Sequence, residues 1–202
     1  MEATVRSTTI KRALRRELQA ARLGLAAPER TRLDLQICAH LLRALEPNPG
    51  IAFAAYHACR GEPELAPALL ALHRAEHAVH LPVLAGLALQ FCRWRPGARM
   101  RPNRYGIPEP LEGTICPAEQ LDWVLLPLVA FSPSGGRLGM GGGYYDRTFA
   151  FCLQKTVAER PRLVGVAYGL QQVDTVPMAP WDVPLDGVVT EGGLRWFEPG
   201  EQ

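Results

Sequence analysis

The residues best suited to chemistry lie in one glycine-rich stretch, residues 138–147, which reads LGMGGGYYDR. Four of the five residues from 139 to 143 are glycine, so the backbone there can adopt positive φ angles and turn several N–H groups toward one point. A cluster of such donors suits an anion. A tight turn that binds no ligand would use the same glycines, and it stays open as the alternative.

The segments on either side of this stretch favour the anion-binding interpretation. Residues 122–127 (DWVLLP) form a short apolar run typical of a buried strand, and residues 143–153 have helical spacing. A strand, a glycine-rich turn and a helix N-terminus together predict a phosphate cradle, because the unpaired N–H groups and the dipole of a helix N-terminus favour negative charge.

Two familiar nucleotide-binding loops are excluded. A Walker A loop ends in Gly-Lys-Ser or Gly-Lys-Thr, and no such run occurs in the sequence. A dinucleotide-binding fingerprint is followed, about 20 residues later, by an acid at the end of the second strand. The nearest acid, Glu159, precedes the next apolar run instead of ending it.

The composition indicates one globular domain, residues 1–202, with 48% hydrophobic and 21% charged residues. The net charge of +2 is too small to favour nucleic acid or a membrane surface as a partner. We therefore expect small-molecule substrates and a monomer. The five cysteines are widely separated and form no Cys-x-x-Cys pair, which favours reduced thiols. No signal peptide or membrane span is apparent, so the expected location is the cytoplasm.

A first helix is predicted over residues 10–23, capped by Thr8 or Thr9. Lys11 and Arg15 lie one turn apart at the border of its apolar face, where they reach a neighbouring site or simply meet solvent. The apolar face itself is predicted to carry Ile10, Leu14, Leu18 and Ala21.

A second helix over residues 28–44 completes an N-terminal helical hairpin. Two strand-helix-strand units follow, the first over residues 51–82 and the second over residues 123–168. Such units require parallel strands, so the fold class is α/β: a single-domain, open, largely parallel sheet with flanking helices in a Rossmann-like three-layer arrangement. The loop that leaves the first strand carries Glu62, at the sheet edge where such folds bind ligands.

Two segments in the middle of the chain suit the wall of a pocket. Residues 95–104 form a basic loop that attracts an acidic substrate or merely keeps the surface hydrated. Residues 105–110 (YGIPEP) form a rigid extended segment, because two prolines fix φ and restrict the residues before them.

The stretch 137–147 (RLGMGGGYYDR) closely resembles the signature of the 5-formyltetrahydrofolate cyclo-ligase family, also called 5,10-methenyltetrahydrofolate synthetases. Residues 11–15 (KRALR), 105–110 and 181–186 (WDVPLD, followed by Thr190 and Glu191) agree with that family in order and spacing. The resemblance implies a one-domain α/β enzyme that uses ATP and Mg²⁺ to convert 5-formyltetrahydrofolate into 5,10-methenyltetrahydrofolate, ADP and phosphate. By analogy, ATP phosphorylates the formyl oxygen and the folate N10 then attacks.

The resemblance also implies roles for individual residues. Catalysis falls to Arg137, Tyr145 and Asp146, and Mg²⁺ binding to Asp146 and Asp182. The pterin is expected to bind Glu62, with Tyr105, Tyr144 and Tyr145 as an aromatic wall. The residues expected to bind ATP are Lys11, Arg15, Arg137, Gly139, Met140, Gly141, Gly142, Gly143, Tyr144, Tyr145 and Asp146.

One position departs from part of the family. Some members carry a lysine in the glycine loop where this chain has Gly142, so Arg137 or the N-terminal pair must supply that positive charge. Two other readings remain open: a paralogue with the same ATP site that acts on another formylated or pterin-like compound, and a non-catalytic module that binds nucleotide or folate. We also hypothesise that the arginines of residues 95–104 attract the glutamate tail of the folate.

Overall fold

The chain opens with two helices, α1 (Glu2–Leu23) and α2 (Ala27–Leu45), in a computed structural model that describes residues 2–45 and 50–197. The helical hairpin predicted from the sequence is therefore present. The first helix begins well before Thr8, so the predicted cap at Thr8 or Thr9 is wrong. Arg30 closes the corner between the helices, since its Nη2 donates to the carbonyls of Arg22, Leu23 and Leu25.

The buried face of α1 differs from the apolar face that the sequence predicts. Ile10 is 40% exposed and Ala21 is also exposed, whereas residues one position further along are covered. Charged side chains can take buried or half-buried places here because the protein supplies polar partners for them. The covered face carries Lys11, Leu14, Arg15, Leu18 and Arg22.

The centre of the molecule is an eight-stranded sheet in the order β12-β11-β10-β7-β1-β2-β3-β6. Its middle pairs are parallel and its edge pairs antiparallel, which confirms a largely parallel α/β sheet. The strands are β1 (Ala52–Ala54), β2 (Ala78–Ala85), β3 (Ala88–Arg93), β6 (Ile115–Cys116), β7 (Trp123–Pro127), β10 (Arg162–Val166), β11 (Gly187–Thr190) and β12 (Gly193–Trp196).

The central strands are short apolar runs because both faces of the sheet are covered. On one face they pack against α2 and α3 (Ala66–Arg74), and Ile37, Leu41 and Phe53 are fully buried there. On the other face Phe91, Leu126 and Phe149 lie in a second core cluster. The three layers predicted from the sequence are thus present. None of the helices among residues 2–45 and 50–197 combines the length and the apolar character needed to cross a membrane.

Two small hairpins lie outside the main sheet. One pairs β4 (Met100–Pro102) with β5 (Pro108–Pro110), and the other pairs β8 (Ala130–Phe131) with β9 (Arg137–Leu138). The glycine-rich stretch therefore follows the β8–β9 hairpin and not the sheet strand β7. The helix after it, α4 (Tyr144–Thr148), is only five residues long and gives way to a 3₁₀ turn, so the helix predicted over residues 143–153 is wrong.

The strand order places a crevice at one edge of the sheet. The chain passes from β1 to β2 on one side of the sheet and later returns to β7 on the other side of β1. The connections that leave the carboxyl ends of β1 and β7 consequently diverge. Open α/β sheets bind ligands at such a switch point. The first connection carries Glu62, and the second leads to the glycine-rich stretch.

Candidate active site

A cavity of about 750 Å³ lies at the carboxyl ends of β1 and β7. Its lining comes from α1, from the loop after β1, from β2 and β3, from the turn between β4 and β5, and from the glycine loop, residues 139–143. A cavity of this size suits a drug-sized ligand.

The glycine loop is held by its carbonyl groups. Arg15 Nε donates to the Gly139 carbonyl at 2.8 Å, and Arg147 Nη2 donates to the Gly142 carbonyl at 2.6 Å. Gly141 and Gly143 adopt φ angles of +99° and +65°, which glycine tolerates. Within the described chain, the amides of residues 140–143 donate to no protein acceptor. These amides therefore remain available as donors to a ligand in the cavity that their residues line.

Arg137 and Asp146 form a part-buried ion pair at the base of this loop. Arg137 Nη2 donates to Asp146 Oδ1 at 2.5 Å, and the Val183 amide donates to the same oxygen at 3.2 Å. Arg137 Nε completes the connection by donating to the Val183 carbonyl at 3.0 Å. Burial lowers the pKa of Arg137, and the charge of Asp146 opposes that effect. These contacts fasten the segment before α4 to the segment that carries Asp182.

Lys11 on α1 pairs with Asp182. Its Nζ donates to Asp182 Oδ2 at 2.9 Å, and the Ala179 amide donates to the same oxygen at 2.9 Å. The side chains are 20% and 16% exposed, so the pair stays accessible from the cavity. Burial lowers the pKa of Arg15 on the same helix, and Asp182 opposes that effect. Helix α1 therefore brings two cations to the nucleotide side of the predicted site.

Glu62 lies on the opposite side, in a turn over residues 59–62. It is only 7% exposed, and its Oε2 accepts the Cys59 amide at 3.0 Å and the Cys59 thiol at 3.4 Å. Burial raises the pKa of the Glu62 carboxyl, while the Cys59 amide and the Arg22 and Arg60 charges act against this. Burial and the Glu62 charge also raise the pKa of the Cys59 thiol to about 11, so the thiol keeps its proton.

Aromatic side chains line the cavity between these two sides. Tyr145 stacks on Phe149 with ring centroids 6.4 Å apart and planes at 15°. Burial raises the pKa of Tyr145, and the charge of Glu62 adds to the effect. At the rim, the hydroxyls of Tyr105 and Tyr144 lie 3.0 Å apart. The guanidinium of Arg104 lies against both of these rings and contacts the Tyr144 hydroxyl.

Asn103 and Glu109 fix the turn that carries Tyr105. Asn103 Oδ1 accepts the amides of Tyr105 and Ile107, and Asn103 Nδ2 donates to Glu109 Oε1 at 2.8 Å. Glu109 Oε1 also accepts the Leu84 amide of β2 at 2.9 Å. The YGIPEP segment is thereby tied to the sheet.

The residues to which the family resemblance assigns a role all line this cavity: Lys11, Arg15, Glu62, Tyr105, Arg137, Gly139, Met140, Gly141, Gly142, Gly143, Tyr144, Tyr145, Asp146 and Asp182. The arginines at 95, 99, 101 and 104 are not among its lining residues within the described chain. Arg99 pairs with Glu112 instead. Arg104 comes nearest, through its contact with Tyr144.

Several lining residues had no predicted role. Arg147, His57, Cys59 and Trp181 all border the cavity, and Trp181 is 70% exposed. For Arg147 and Trp181 a signal was available, because both lie inside segments that carry the family resemblance. His57 and Cys59 had no motif, and only the position of their loop after β1 pointed to them.

The acids fit a magnesium ion that is held mainly by phosphate. No group of three or more His, Cys, Asp or Glu side chains that could hold a metal occurs in residues 2–45 and 50–197. Mg²⁺ commonly takes one or two carboxylates and completes its shell with water and phosphate oxygens. The protein contacts of Asp146 and Asp182 each use one carboxylate oxygen, which leaves the other as an acceptor.

Comparison with known proteins gives one consistent result. Residues 7–191 match the model of the 5-formyltetrahydrofolate cyclo-ligase family. The 5-formyltetrahydrofolate cyclo-ligase of Haemophilus influenzae is 34% identical over 184 residues, which cover 89% of this chain and 96% of that protein. The Escherichia coli K12 protein of the same name is 40% identical over 135 residues, 64% of this chain and 72% of that protein.

Solved structures agree with these sequence relatives. The Aquifex aeolicus 5,10-methenyltetrahydrofolate synthetase superposes with a TM-score of 0.80 at 31% identity, covering 96% of this chain and 95% of that one. The Mycoplasma pneumoniae 5,10-methenyltetrahydrofolate synthetase gives 0.71 at 28% identity, with 90% and 98% covered. The similarity therefore includes the sheet, the N-terminal hairpin and the segments around the cavity.

Proposed function

The chain belongs to the 5-formyltetrahydrofolate cyclo-ligase family, and we propose that it catalyses the ATP- and Mg²⁺-dependent cyclisation of 5-formyltetrahydrofolate to 5,10-methenyltetrahydrofolate, with release of ADP and phosphate. One observation carries the proposal. A single cavity has N–H donors and cations on one side and a buried carboxylate on the other. That arrangement matches a substrate pair of polyphosphate and pterin.

The reaction needs both sides because the formyl carbon of an amide is a poor electrophile. Transfer of the γ-phosphoryl group from ATP to the formyl oxygen turns that oxygen into a leaving group. The N10 nitrogen then attacks the formyl carbon, loses its proton, and phosphate departs as the ring closes. Phosphoryl transfer is accelerated mainly by positioning and by neutralisation of charge.

The cationic side of the cavity suits the phosphates. The amides of residues 140–143 would donate to phosphate oxygens, since the carbonyls of this loop already face Arg15 and Arg147. Lys11 and Arg137 add positive charge, which compensates for the missing loop lysine at Gly142. Because α4 is five residues long, the loop amides contribute more here than a helix dipole does.

Asp146 and Asp182 would hold the magnesium ion together with phosphate oxygens and water. When bound, the ion neutralises charge on the phosphates during transfer. Arg137 and Lys11 keep both carboxylates in place through one oxygen each.

The carboxylate side suits the pterin. Glu62 can accept two N–H bonds from the amino-pyrimidinone edge of the ring, a charge-assisted contact. Tyr145 would provide a neutral aromatic surface beside it, because its raised pKa keeps the phenol protonated. Tyr105 and Tyr144 would continue this wall to the rim.

A spectroscopic assay tests the proposal. Purified protein is mixed with 5-formyltetrahydrofolate and Mg-ATP, and the absorbance band of methenyltetrahydrofolate is followed. We expect a rise that requires nucleotide and is reduced about 100-fold or more in Asp146→Asn, since this variant loses a charged metal ligand and the partner of Arg137. Asp174→Asn, an exposed acid outside the cavity, serves as the matched control.

The same assay separates this function from its alternatives. A protein that binds ATP but produces no absorbance rise would next be screened with other formylated or pterin-like compounds, and turnover of one of them would indicate a paralogue. A protein that binds nucleotide or folate and turns over neither would be a non-catalytic module.

A further inference from the structure

Arg22 is a charged side chain that the predicted mechanism does not use, yet it is fully buried. It lies on α1, three turns beyond Lys11, on the covered face of that helix. No carboxylate forms an ion pair with it among the described residues. A buried cation without such a partner is costly to the fold. The contacts of the Arg22 guanidinium should therefore indicate its role.

The guanidinium of Arg22 grips the turn that carries Glu62. Its Nη2 and Nε donate to the Arg60 carbonyl at 2.9 and 3.2 Å. Arg60 has a φ of +50°, and Gly61 after it has +74°. A non-glycine residue at positive φ is strained, and a contact from outside the turn helps to hold it there. Arg22 provides that contact from inside the protein.

The third bond of Arg22 reaches the other connection at the switch point. Its Nη1 donates to the Leu128 carbonyl at 3.0 Å, and Gln171 Nε2 donates to the same carbonyl at 2.8 Å. Leu128 directly follows β7 and leads into the β8–β9 hairpin. One side chain thus joins α1 to both connections that form the cavity.

The charge of Arg22 also acts on Glu62, although the two side chains form no hydrogen bond with each other. The groups around the Glu62 carboxyl are the amide and thiol of Cys59, the charges of Arg22 and Arg60, and the phenols of Tyr56 and Tyr145. Arg60 is exposed, so water screens its charge. Arg22 is the cation in this set that the solvent does not screen.

We propose that Arg22 is a positioning residue for pterin recognition: through the Arg60 and Leu128 carbonyls it fixes the turn that presents Glu62, and it adds a buried positive charge to the surroundings of the carboxylate that accepts the pterin N–H groups. This inference rests on the proposed folate function. Arg22 is not among the residues that line the cavity, so we infer that it acts through Glu62 and the turn.

The test compares Arg22→Gln, which removes the charge, with Arg22→Lys, which keeps the charge but loses the forked geometry. Binding of 5-formyltetrahydrofolate and of ATP is measured separately by calorimetry. We expect Arg22→Gln to weaken folate binding about tenfold and Arg22→Lys by less, with ATP binding changed by no more than about twofold in both. The KM for folate should change in the same order while the KM for ATP stays constant.

A second readout does not depend on activity. The Glu62 carboxyl is followed by carbon NMR during a pH titration of the ligand-free protein, with its signal assigned from Glu62→Gln. We expect the Glu62 midpoint to move upward in Arg22→Gln and to stay near that of the wild type in Arg22→Lys. Arg30→Gln is the matched control, because Arg30 donates to backbone carbonyls at the same end of α1 and, among the described residues, donates no hydrogen bond to the turn.

Two results would overturn the inference. One is a folded Arg22→Gln with an unchanged Glu62 midpoint and unchanged folate affinity. The other is an equal loss of folate and ATP binding in Arg22→Gln, which would indicate a general structural role. If Arg22→Gln does not fold, the folate-to-ATP difference in Arg22→Lys decides the question. A wild-type protein that fails to bind 5-formyltetrahydrofolate would instead contradict the proposed function itself.

Discussion

The two sides of the cavity are built in opposite ways. In the turn over residues 59–62, a buried carboxylate accepts the amide and the thiol of Cys59, and Arg22 fixes the backbone of the turn. In the glycine loop, the backbone is largely exposed, arginines fix its carbonyls, and its amides keep no protein partner within the described chain. The first side can accept hydrogen bonds from a ligand, and the second can donate hydrogen bonds to one.

Positive φ angles show the same contrast. Arg60 adopts its left-handed conformation with a side chain present, and a buried guanidinium holds it there. Gly141 and Gly143 adopt theirs without a Cβ and therefore without strain. The proposed pterin side thus has its backbone fixed by a protein contact, whereas the amides of the proposed phosphate side have no acceptor among the described residues.

Among the substitutions that test the two sides of the cavity, replacement of the buried Glu62 carboxylate should have the largest effect. Glu62→Gln keeps the shape of the side chain but removes the charge that accepts the pterin N–H groups. We expect the KM for 5-formyltetrahydrofolate to rise about 100-fold, with the KM for ATP little changed. Steady-state assays with each substrate varied in turn give both constants. Equal increases in the two constants would contradict the division of the cavity into two sides.

The same variant should not lose stability. The folded-state pKa of Glu62 is raised above its unfolded value, so the folded protein binds this proton more tightly and loses stability as the pH rises through the shifted range. Neutral glutamine removes that loss. We expect the Tm of Glu62→Gln at pH 7 to equal or exceed that of the wild type, as measured by calorimetry.

Lowering the pH should weaken folate binding in the wild-type protein, because protonation neutralises the same carboxylate that Glu62→Gln replaces. The ionised carboxylate is the binding form, and burial raises its pKa above the usual value for glutamate. As the pH falls, folate affinity should therefore begin to decline at a higher pH than it would for a carboxyl with an ordinary pKa. The total decline should not exceed the loss of folate affinity in Glu62→Gln. Calorimetric titrations across a pH series measure this. In Glu62→Gln, folate affinity should no longer depend on pH in this range. If the dependence persisted, the titrating group would be a residue other than Glu62.

A substitution in the glycine loop should have a smaller effect, and it should act on ATP binding instead of folate binding. Gly141→Ala places a Cβ at a φ of +99° and about 3.5 Å from the Arg15 guanidinium. We expect the KM for ATP to rise about tenfold, because the strained loop turns its amides away from the phosphates. The KM for folate should hardly change. Gly97→Ala is the control, since Gly97 has a φ of +79°, open space around it and no place in the cavity lining.

The sequence predicted the sheet, and it singled out residues that line the cavity, because their signals are local. Apolar strand runs, the GMGGGYYD stretch and Glu62 after the first strand are each visible within a few residues. The buried face of α1 was not predictable in this way. Lys11, Arg15 and Arg22 repeat at intervals of four and seven, a helical stripe, but the hydrophobicity pattern alone assigns charged residues to solvent. Only their tertiary partners justify that burial.

The β8–β9 hairpin and the short α4 were missed for a related reason. Residues 128–138 contain Pro133 and two glycines, which read as a loop between β7 and the glycine stretch. In the structure this loop folds back as a two-stranded pair, and the buried side chain of Arg137 on β9 bonds to Asp146 and Val183. The helix after it ends at Thr148. The contact between Arg137 and Val183 spans 46 residues of sequence, so no local pattern predicts it.

The smallest expected effect concerns the rim, where the two sides meet. Arg104 lies against the Tyr105 and Tyr144 rings, whereas Arg101 on β4 is exposed and lies outside the cavity lining. If the rim attracts the glutamate tail of the folate, Arg104→Glu should raise the KM for a polyglutamylated substrate by a few-fold and the KM for the monoglutamate by less, because exposed charge pairs are weak. High salt should reduce the difference.

Arg101→Glu reverses a charge of the same size on the same hairpin, but it leaves the tyrosine pair untouched. If Arg104→Glu changed the KM values for the two substrates by the same factor, the rim would have only the role of holding Tyr144 beside the glycine loop.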